Sequence, residues 1–174
     1  MRAFRAGYPP ASMATPCEIR PVARADIPLL LALIGELADY ERLRDAVVLD
    51  AGSLERHLFG ERPAAEALLA ELDGEAAGYA LFFPTFSTFL GRPGIWLEDL
   101  FVRPARRGAG IGRALLAHVA GLAVERDCGR LEWSALDWNE PALGFYRGLG
   151  AQRLDEWRLH RLDGAALRSV ARGA

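Results

Sequence analysis

Apolar positions along the chain switch repeatedly between helical and strand spacing, and this switching predicts a mixed α/β fold. In the N-terminal half, a helical pattern follows the candidate cap Asp26, and Asp50 is placed to cap a second helix over Ala51–Phe59. Strand-like runs cover Cys17–Pro21, Ala65–Leu72, Ala76–Phe83 and Ile95–Val102. The Asp73-Gly74 dipeptide predicts a hairpin, whereas a long loop is expected before Ile95.

The C-terminal half begins with a glycine run at positions 108 to 112, which leads into the most regular helical pattern of the chain. A strand over Leu131–Ala135 and a short helix capped by Asn139 and closed by Gly150 follow. Residues 151 to 162 include Trp157, Leu159 and Leu162 and are expected to return to the sheet, leaving residues 163 to 174 as a weakly amphipathic tail. These patterns predict a central sheet flanked by helices.

Length and composition describe an ordinary globular protein. The 174 residues suit one domain over residues 17 to 174, with residues 1 to 16 as a disordered extension in which Met13 is a candidate start. The net charge of −2 provides no general attraction for nucleic acid, and no apolar run is long enough to span a membrane. Isolated cysteines favour a reducing cytoplasm, and scattered histidines predict no metal site.

The segment from Arg106 to Arg113 reads R-R-G-A-G-I-G-R and has the properties of an anion cradle. Glycines remove the Cβ atoms that would hold a ligand away from the backbone, and the free N–H groups of a helix start attract phosphate. The simpler alternative is a flexible turn before an ordinary helix. A dinucleotide-binding motif fits poorly, because the glycine spacing differs and more than a hundred residues precede it, although Glu132 follows at about the expected distance.

This loop resembles the Q/R-x-x-G-x-G/A pyrophosphate loop of GNAT acetyltransferases. Flanking segments are similar to the diamine N-acetyltransferase branch, which includes spermidine/spermine and thialysine acetyltransferases; they are L-I-x-E-L-A-x-Y-E at 33 to 41, L-E-D-L-F-V at 97 to 102, D-W-N-E-P at 137 to 141, F-Y at 145 and 146, and G-A at 150 and 151. The likeness covers roughly residues 18 to 160. It implies a strongly twisted mixed sheet whose central strands splay at the cofactor site, and a homodimer.

The resemblance also implies where acetyl-CoA binds. The backbone of Leu100, Phe101 and Val102 would pair with the pantetheine arm, and Asn139 would lie beside it. The pyrophosphate would be held by Arg107, Gly108, Ala109, Gly110, Ile111, Gly112 and Arg113. Tyr146 occupies the position of the family's general acid, where its phenol would protonate the departing thiolate. The alternative for Tyr146 is a core aromatic on an amphipathic helix, as we expect for Phe145.

An amine substrate arrives protonated, so a carboxylate must accept its proton directly or through water. Glu98 is the candidate base and Asp99 the candidate ammonium contact, but neighbouring strand residues point to opposite faces unless a bulge intervenes. Members of the resembled branch carry such a bulge. Tyr40, Glu41 and Ser87 match substrate-pocket positions, and Ser87 stands where the spermidine/spermine enzymes place an aspartate. That difference favours a shorter, amino-acid-like amine over a long polycation.

The preferred hypothesis is therefore direct acetyl transfer from acetyl-CoA to a small primary amine in a ternary complex. Neither cysteine lies in a motif beside a histidine, so a covalent acetyl-enzyme is not expected. Two alternatives remain open. One is an acyl-CoA-binding domain without turnover, and the other is a peptide N-acetyltransferase.

Overall fold

The computed structural model describes residues 17 to 173, so the predicted extension over residues 1 to 16 lies outside the described residues. The chain divides into two compact units, one ending at Ser134 and the other beginning at Ala135. The first unit contains the strands β1 (Glu18–Pro21), β2 (Glu66–Leu72), β3 (Glu75–Ser87), β4 (Arg92–Val102) and β5 (Leu131–Glu132) and the helices α1 (Ile27–Glu41), α2 (Ala51–Phe59) and α3 (Ile111–Glu125).

The five strands form one mixed sheet in the order β1-β2-β3-β4-β5, which confirms the predicted α/β class. Strands β1 to β4 pair with one another in antiparallel order, whereas β5 pairs with β4 in parallel. Asp73 and Gly74 close the β2–β3 hairpin with positive φ angles of 56° and 76°, as a two-residue turn of this composition requires. The predicted hairpin is therefore present.

The long loop predicted before Ile95 is wrong. Instead β3 and β4 continue as an antiparallel ladder to the pair Ser87 and Arg92, and a short turn containing Gly91 joins them. Pro84 and Pro93 both take part in this ladder, although prolines usually indicate a loop or strand edge. Because of these two prolines, the sequence pattern did not predict the outer half of the β3–β4 hairpin.

The two faces of the sheet carry different helices. Helices α1 and α2 cover one face, which we call the α1 face, where Leu30, Leu33 and Tyr79 lie in a buried apolar cluster. Phe82 lies on the opposite face with His118 and Leu122 of α3, which we call the α3 face. Burial of these surfaces is the main stabilising contribution to the unit.

Two of the predicted helix caps behave differently. Asp50 caps α2 as expected, since its carboxylate accepts a hydrogen bond of 2.7 Å from the Ser53 N–H. Asp26 does not cap α1. Its carboxylate instead accepts from the preceding Ala23 N–H at 2.8 Å and pairs with Arg20 at 2.6 Å, so that it closes the turn before the helix.

The second unit contains the helices α4 (Glu140–Arg147) and α5 (Gly164–Ala171). The strand predicted over residues 151 to 162 is wrong, because a turn in which the Trp157 N–H donates to Leu154 O at 3.3 Å interrupts the segment. A strand needs a pairing partner as well as alternating side chains. The strand predicted over Leu131–Ala135 is likewise reduced to Leu131–Glu132.

Candidate active site

A bulge in β4 lies at the sequence position of the two neighbouring acids. Leu81 of β3 pairs with Asp99, but the next residue, Phe82, pairs with Leu97. Glu98 is therefore the extra residue of a β-bulge, since it lies between Leu97 and Asp99 and has no pairing partner of its own on β3. The bulge that would allow Glu98 and Asp99 to face the same pocket is therefore present.

The register also shows which face the acids share. Leu81 packs into the cluster on the α1 face, so its direct partner Asp99 lies on that face as well. Trp96 pairs with Phe83, two residues beyond Leu81, and is therefore on the same face. The Trp96 Nε1–H donates to Glu98 Oε2 at 2.9 Å, which brings Glu98 to this side too.

The negative charges of Glu98 and Glu41 both act on the carboxyl group of Asp99. Burial raises the pKa of Asp99 to about 6, against the lowering effect of a hydrogen bond from Tyr79, and the negative charges of Glu98 and Glu41 raise it further. Burial also raises the pKa of the Glu41 carboxyl. The site thus concentrates negative charge where a substrate ammonium would be stabilised.

An ion pair fixes the end of α1 against the sheet. The Arg103 guanidinium, just beyond β4, donates to both oxygens of Glu36 at 3.0 and 2.7 Å. Its third nitrogen donates to the Ala76 carbonyl of β3 at 2.8 Å. Bidentate pairs of this kind have a defined geometry. Tyr40 and Glu41, in the last turn of α1, are consequently held near the C-terminal end of β4.

The C-terminal part of β4 has an open edge. Strand β5 pairs only with Ile95 and Trp96, so within the described residues no strand pairs with the β5-side edge of β4 after Trp96. The Arg103 N–H donates to Ala77 of β3, and alternation therefore turns the peptide groups of Leu100 and Val102 towards the open edge. The Val102 carbonyl accepts a hydrogen bond from the Arg107 side chain, and the other groups at this edge are in position for an extended ligand such as a pantetheine arm.

Phe101 contributes differently from its two neighbours. Its side chain is buried on the α1 face, 6.2 Å from the Tyr79 ring between centroids, and its residue pairs directly with Tyr79. The peptide groups of Phe101 therefore face β3. Within the predicted cofactor-binding segment, Leu100 and Val102 present backbone atoms at the open edge of β4.

The glycine loop has the geometry of an anion cradle. Gly108 and Gly110 have φ angles of 82° and 81°, which favour glycine strongly over any residue with a Cβ. A Cβ built on either residue would meet nothing within 4 Å, so the space above them is open. Gly110 is the cap residue of α3 and has no side chain to satisfy the first N–H groups, while Ile111 is buried and anchors the loop. The exposed Ala109 and the half-buried Gly112, which is the second residue of α3, complete the loop.

The arginines of the loop are used in different ways. Arg106, the first residue of the segment, pairs with Glu75 at 2.7 Å and with Asp73 at 3.6 Å. Arg107 donates from Nε to the Val102 carbonyl at 3.0 Å, and its guanidinium lies 4.5 Å above the Tyr40 ring. Arg113 is exposed in the first turn of α3. An uncapped helix start, two open glycines, and the nearby Arg107 and Arg113 fit a pyrophosphate group.

Ser87 lies apart from the acids. It is the last residue of β3, six positions beyond Leu81, or about 20 Å along the strand. Its hydroxyl is buried and accepts a hydrogen bond from the Leu90 N–H at 3.2 Å. The serine thus stabilises the turn at the tip of the hairpin, and its role in substrate binding stays a prediction.

Asn139 and Tyr146 belong to the second unit. Asn139 caps α4 as predicted, with its side-chain oxygen accepting from the Ala142 N–H at 3.4 Å. Tyr146 lies in the last turn of α4, half-buried, with its ring 5.3 Å from that of Phe145. Its carbonyl accepts from the N–H groups of Leu149 and Ala151, which fixes the backbone after the helix.

Sequence reasoning missed two side chains that contact the acids. Tyr79 donates to Asp99 and Trp96 donates to Glu98, yet neither stands in a recognisable motif. For Trp96 the i,i+2 spacing on a strand is a usable signal. Tyr79 lies twenty residues before Asp99, so only the hairpin register reveals the contact.

No helix in the described part of the chain is long and apolar enough to cross a membrane. Among residues 17 to 173, no group of three or more His, Cys, Asp or Glu side chains is arranged to hold a metal ion.

The family model, the related sequences and the solved structures that match this chain all include acetyltransferases. The model of the acetyltransferase (GNAT) family matches residues 35–151. The thialysine N-epsilon-acetyltransferase of Bos taurus is 40% identical over 164 residues, covering 88% of this chain and 96% of that protein. The L-ornithine N5-acetyltransferase of Arabidopsis thaliana is 32% identical over 198 residues, covering 88% and 87%. Among solved structures, an integron cassette protein from the mobile metagenome of V. cholerae aligns with a TM-score of 0.74 and 29% identity, covering 89% of this chain and 97% of that one.

Proposed function

Because the chain belongs to the acetyltransferase (GNAT) family, we propose that it moves the acetyl group of acetyl-CoA onto a primary amine of a small molecule. The bulge at Glu98 supports this proposal most directly. It gives one face of β4 two adjacent carboxylates beside Glu41, in the same unit as the glycine cradle. A site that must attract an ammonium ion and then accept its proton needs carboxylates in this arrangement.

The substrate class we propose is an amino acid with an amine at the end of its side chain. Thialysine and ornithine are named for the relatives of this chain, and both carry such an amine. With a pKa of about 6, the Asp99 carboxyl is largely ionised at neutral pH and can pair with the ammonium. Tyr40 and Glu41 would form the wall of the pocket on the α1 side.

In the proposed reaction the chain's own residues bind, orient and move protons. The thioester of acetyl-CoA supplies the activated acetyl group. The peptide groups of Leu100 and Val102 would bind the pantetheine arm with Asn139 beside it, and the segment from Arg107 to Arg113 would bind the pyrophosphate. Glu98 would accept the proton of the amine directly or through water, so that the amine attacks without an acetyl-enzyme.

Tyr146 would complete the reaction by donating its phenolic proton to the departing thiolate. A free phenol has a pKa of about 10 and a free thiol one of about 8.5, so the phenol is protonated at neutral pH and is a suitable donor. We further propose that residues 17 to 174 form one acetyltransferase domain and that the protein works as a homodimer in the cytoplasm.

The test is CoA release by the purified protein with acetyl-CoA and a panel of thialysine, ornithine, lysine, spermidine, putrescine and a short peptide. We expect turnover with an amino acid of the panel and a fall in kcat of about 100-fold in Tyr146→Phe. Trp157→Phe, an exposed aromatic of the same unit, is the matched control and should retain wild-type kcat. Saturable acetyl-CoA binding without turnover would favour a binding domain, and activity on the peptide alone would refute the substrate class.

A further inference from the structure

The β3 residue Tyr79 is buried among apolar side chains and makes a hydrogen bond to Asp99. Its side chain is fully buried, with a relative exposure of 0%, among the core residues Leu30 and Leu33 of α1. Its hydroxyl donates to Asp99 Oδ2 at 3.0 Å. Tyr79 pairs with Phe101, and Leu81 pairs with Asp99, so tyrosine and acid are diagonal neighbours on one face.

We propose that Tyr79 is a positioning residue for acetyl transfer, whose buried phenol holds the Asp99 carboxylate in the orientation that receives the substrate ammonium. This inference rests on the proposed function. Tyr79 itself is buried in the core and acts only through Asp99. Tyr79 therefore lies behind the carboxylates to which we assign the substrate contacts, and it supports one of them.

Packing alone does not account for a tyrosine at this position. A phenylalanine ring would fill the same core volume, whereas a buried hydroxyl is costly unless it is hydrogen-bonded. Burial and the nearby Asp99 charge raise the pKa of the Tyr79 phenol far above its ordinary range. The phenol therefore stays a hydrogen-bond donor at every pH at which the protein would work.

The charges that face Asp99 make this donor important. Glu98 on the same strand and Glu41 on α1 both disfavour the ionised carboxylate, as does burial. Of the groups facing Asp99 from β3, β4 and α1, Tyr79 favours the ionised form, because its hydroxyl donates to a carboxylate oxygen. Without it, Asp99 would be protonated over more of the pH range and free to rotate.

The test compares Tyr79→Phe with the wild type by two independent measurements. The first is the pH profile of kcat/KM for the amine, in which we expect the acid limb to move up by about one pH unit. At the lowest pH values kcat/KM should then fall about tenfold, mostly through KM, with a smaller loss above pH 8. The second is an NMR titration of carboxyl-¹³C-labelled aspartate in the free protein, where the Asp99 signal, assigned by its loss in Asp99→Asn, should titrate at higher pH.

Two controls separate positioning from a general effect on the fold. Phe82→Leu alters a buried aromatic of the same strand on the α3 face and should leave the acid limb unchanged, even where it lowers the melting temperature. In an Asp99→Asn background, Tyr79→Phe should have no further effect on KM.

An unchanged acid limb and an unchanged Asp99 titration in Tyr79→Phe would overturn the inference. The NMR titration needs no substrate, so it separates this outcome from failure of the proposed function. If the wild type does not transfer acetyl groups, the proposed function fails; if it does and Tyr79→Phe titrates like the wild type, only the role of Tyr79 fails.

Discussion

Replacing Asp99 by asparagine should stabilise the protein at neutral pH while impairing its activity. The folded protein raises the pKa of this carboxyl from its usual 3.8 to about 6, mainly because the group is buried. Ionising Asp99 is therefore harder in the folded than in the unfolded chain. The stability that the protonated form contributes is complete below pH 4 and is lost as the pH rises through about 6. Asparagine has a similar shape and never ionises.

The magnitude follows from the size of the shift. A rise from 3.8 to about 6 corresponds to about 3 kcal/mol of unfolding free energy, at about 1.36 kcal/mol for each pKa unit. Because Asp99 is partly accessible to solvent, we expect a gain of about 2 kcal/mol for Asp99→Asn above pH 7. The gain should shrink as the pH falls and disappear near pH 3.5.

Urea unfolding of both proteins between pH 3.5 and pH 8 measures this difference, as the change in midpoint at constant slope. Asp45→Asn, which alters an exposed aspartate of the same unit, is the matched control and should change stability by no more than about 0.5 kcal/mol. The reasoning would be refuted by an Asp99→Asn protein that is no more stable than the wild type at pH 8. A gain that does not depend on pH would refute it equally, since burial of a charge would then not be the cause.

Two glycine substitutions test the cofactor loop and the hairpin. Gly110→Ala places a Cβ in a left-handed residue facing the open cradle, at a cost of about 1 to 2 kcal/mol, and should raise the KM for acetyl-CoA in steady-state kinetics more than it alters the KM for the amine. Gly78→Ala places a Cβ 2.3 Å from the Phe101 carbonyl oxygen, so urea unfolding should show a loss of about 1 to 3 kcal/mol. Gly121→Ala adds a Cβ inside α3 with nothing within 4 Å, and serves as the control for both. Equal effects at Gly121 would contradict both explanations.

Much of the fold could be predicted because local chemistry and periodicity agreed. Asp50 and Asn139 are placed correctly as caps, since an Asx side chain before a helical pattern acts within three residues. Gly108 and Gly110 were recognisable for the same reason, because glycine favours the left-handed backbone and open space of such a loop without help from distant residues. Such features depend on nearest neighbours along the chain.

The errors arose where distant parts of the chain decide the outcome. Pro84 and Pro93 indicate a loop locally, but pairing of β3 with β4 overrides that preference. The large apolar residues Trp157, Leu159 and Leu162 suggested a strand over residues 151 to 162, but a local turn interrupts that segment.

The candidate site could be predicted only in part, for a similar reason. Glu98 and Asp99 are visible as a pair of acids, but whether they share a face depends on a register that no local pattern fixes. The hydrogen bond from Tyr79 depends on the same register.

The bulge has a consequence for how the site can change without harm to the fold. Leu97 belongs to the α3 face and Asp99 to the α1 face, the alternation that two adjacent residues of a regular strand would show. Deleting Glu98 would therefore restore an uninterrupted ladder and leave both cores with the side chains they already contain. Glu98 is an insertion that neither core requires. The residue to which we assign the proton transfer thus contributes little to the stability of the fold. Its side chain can be replaced without disturbing the sheet that supports it.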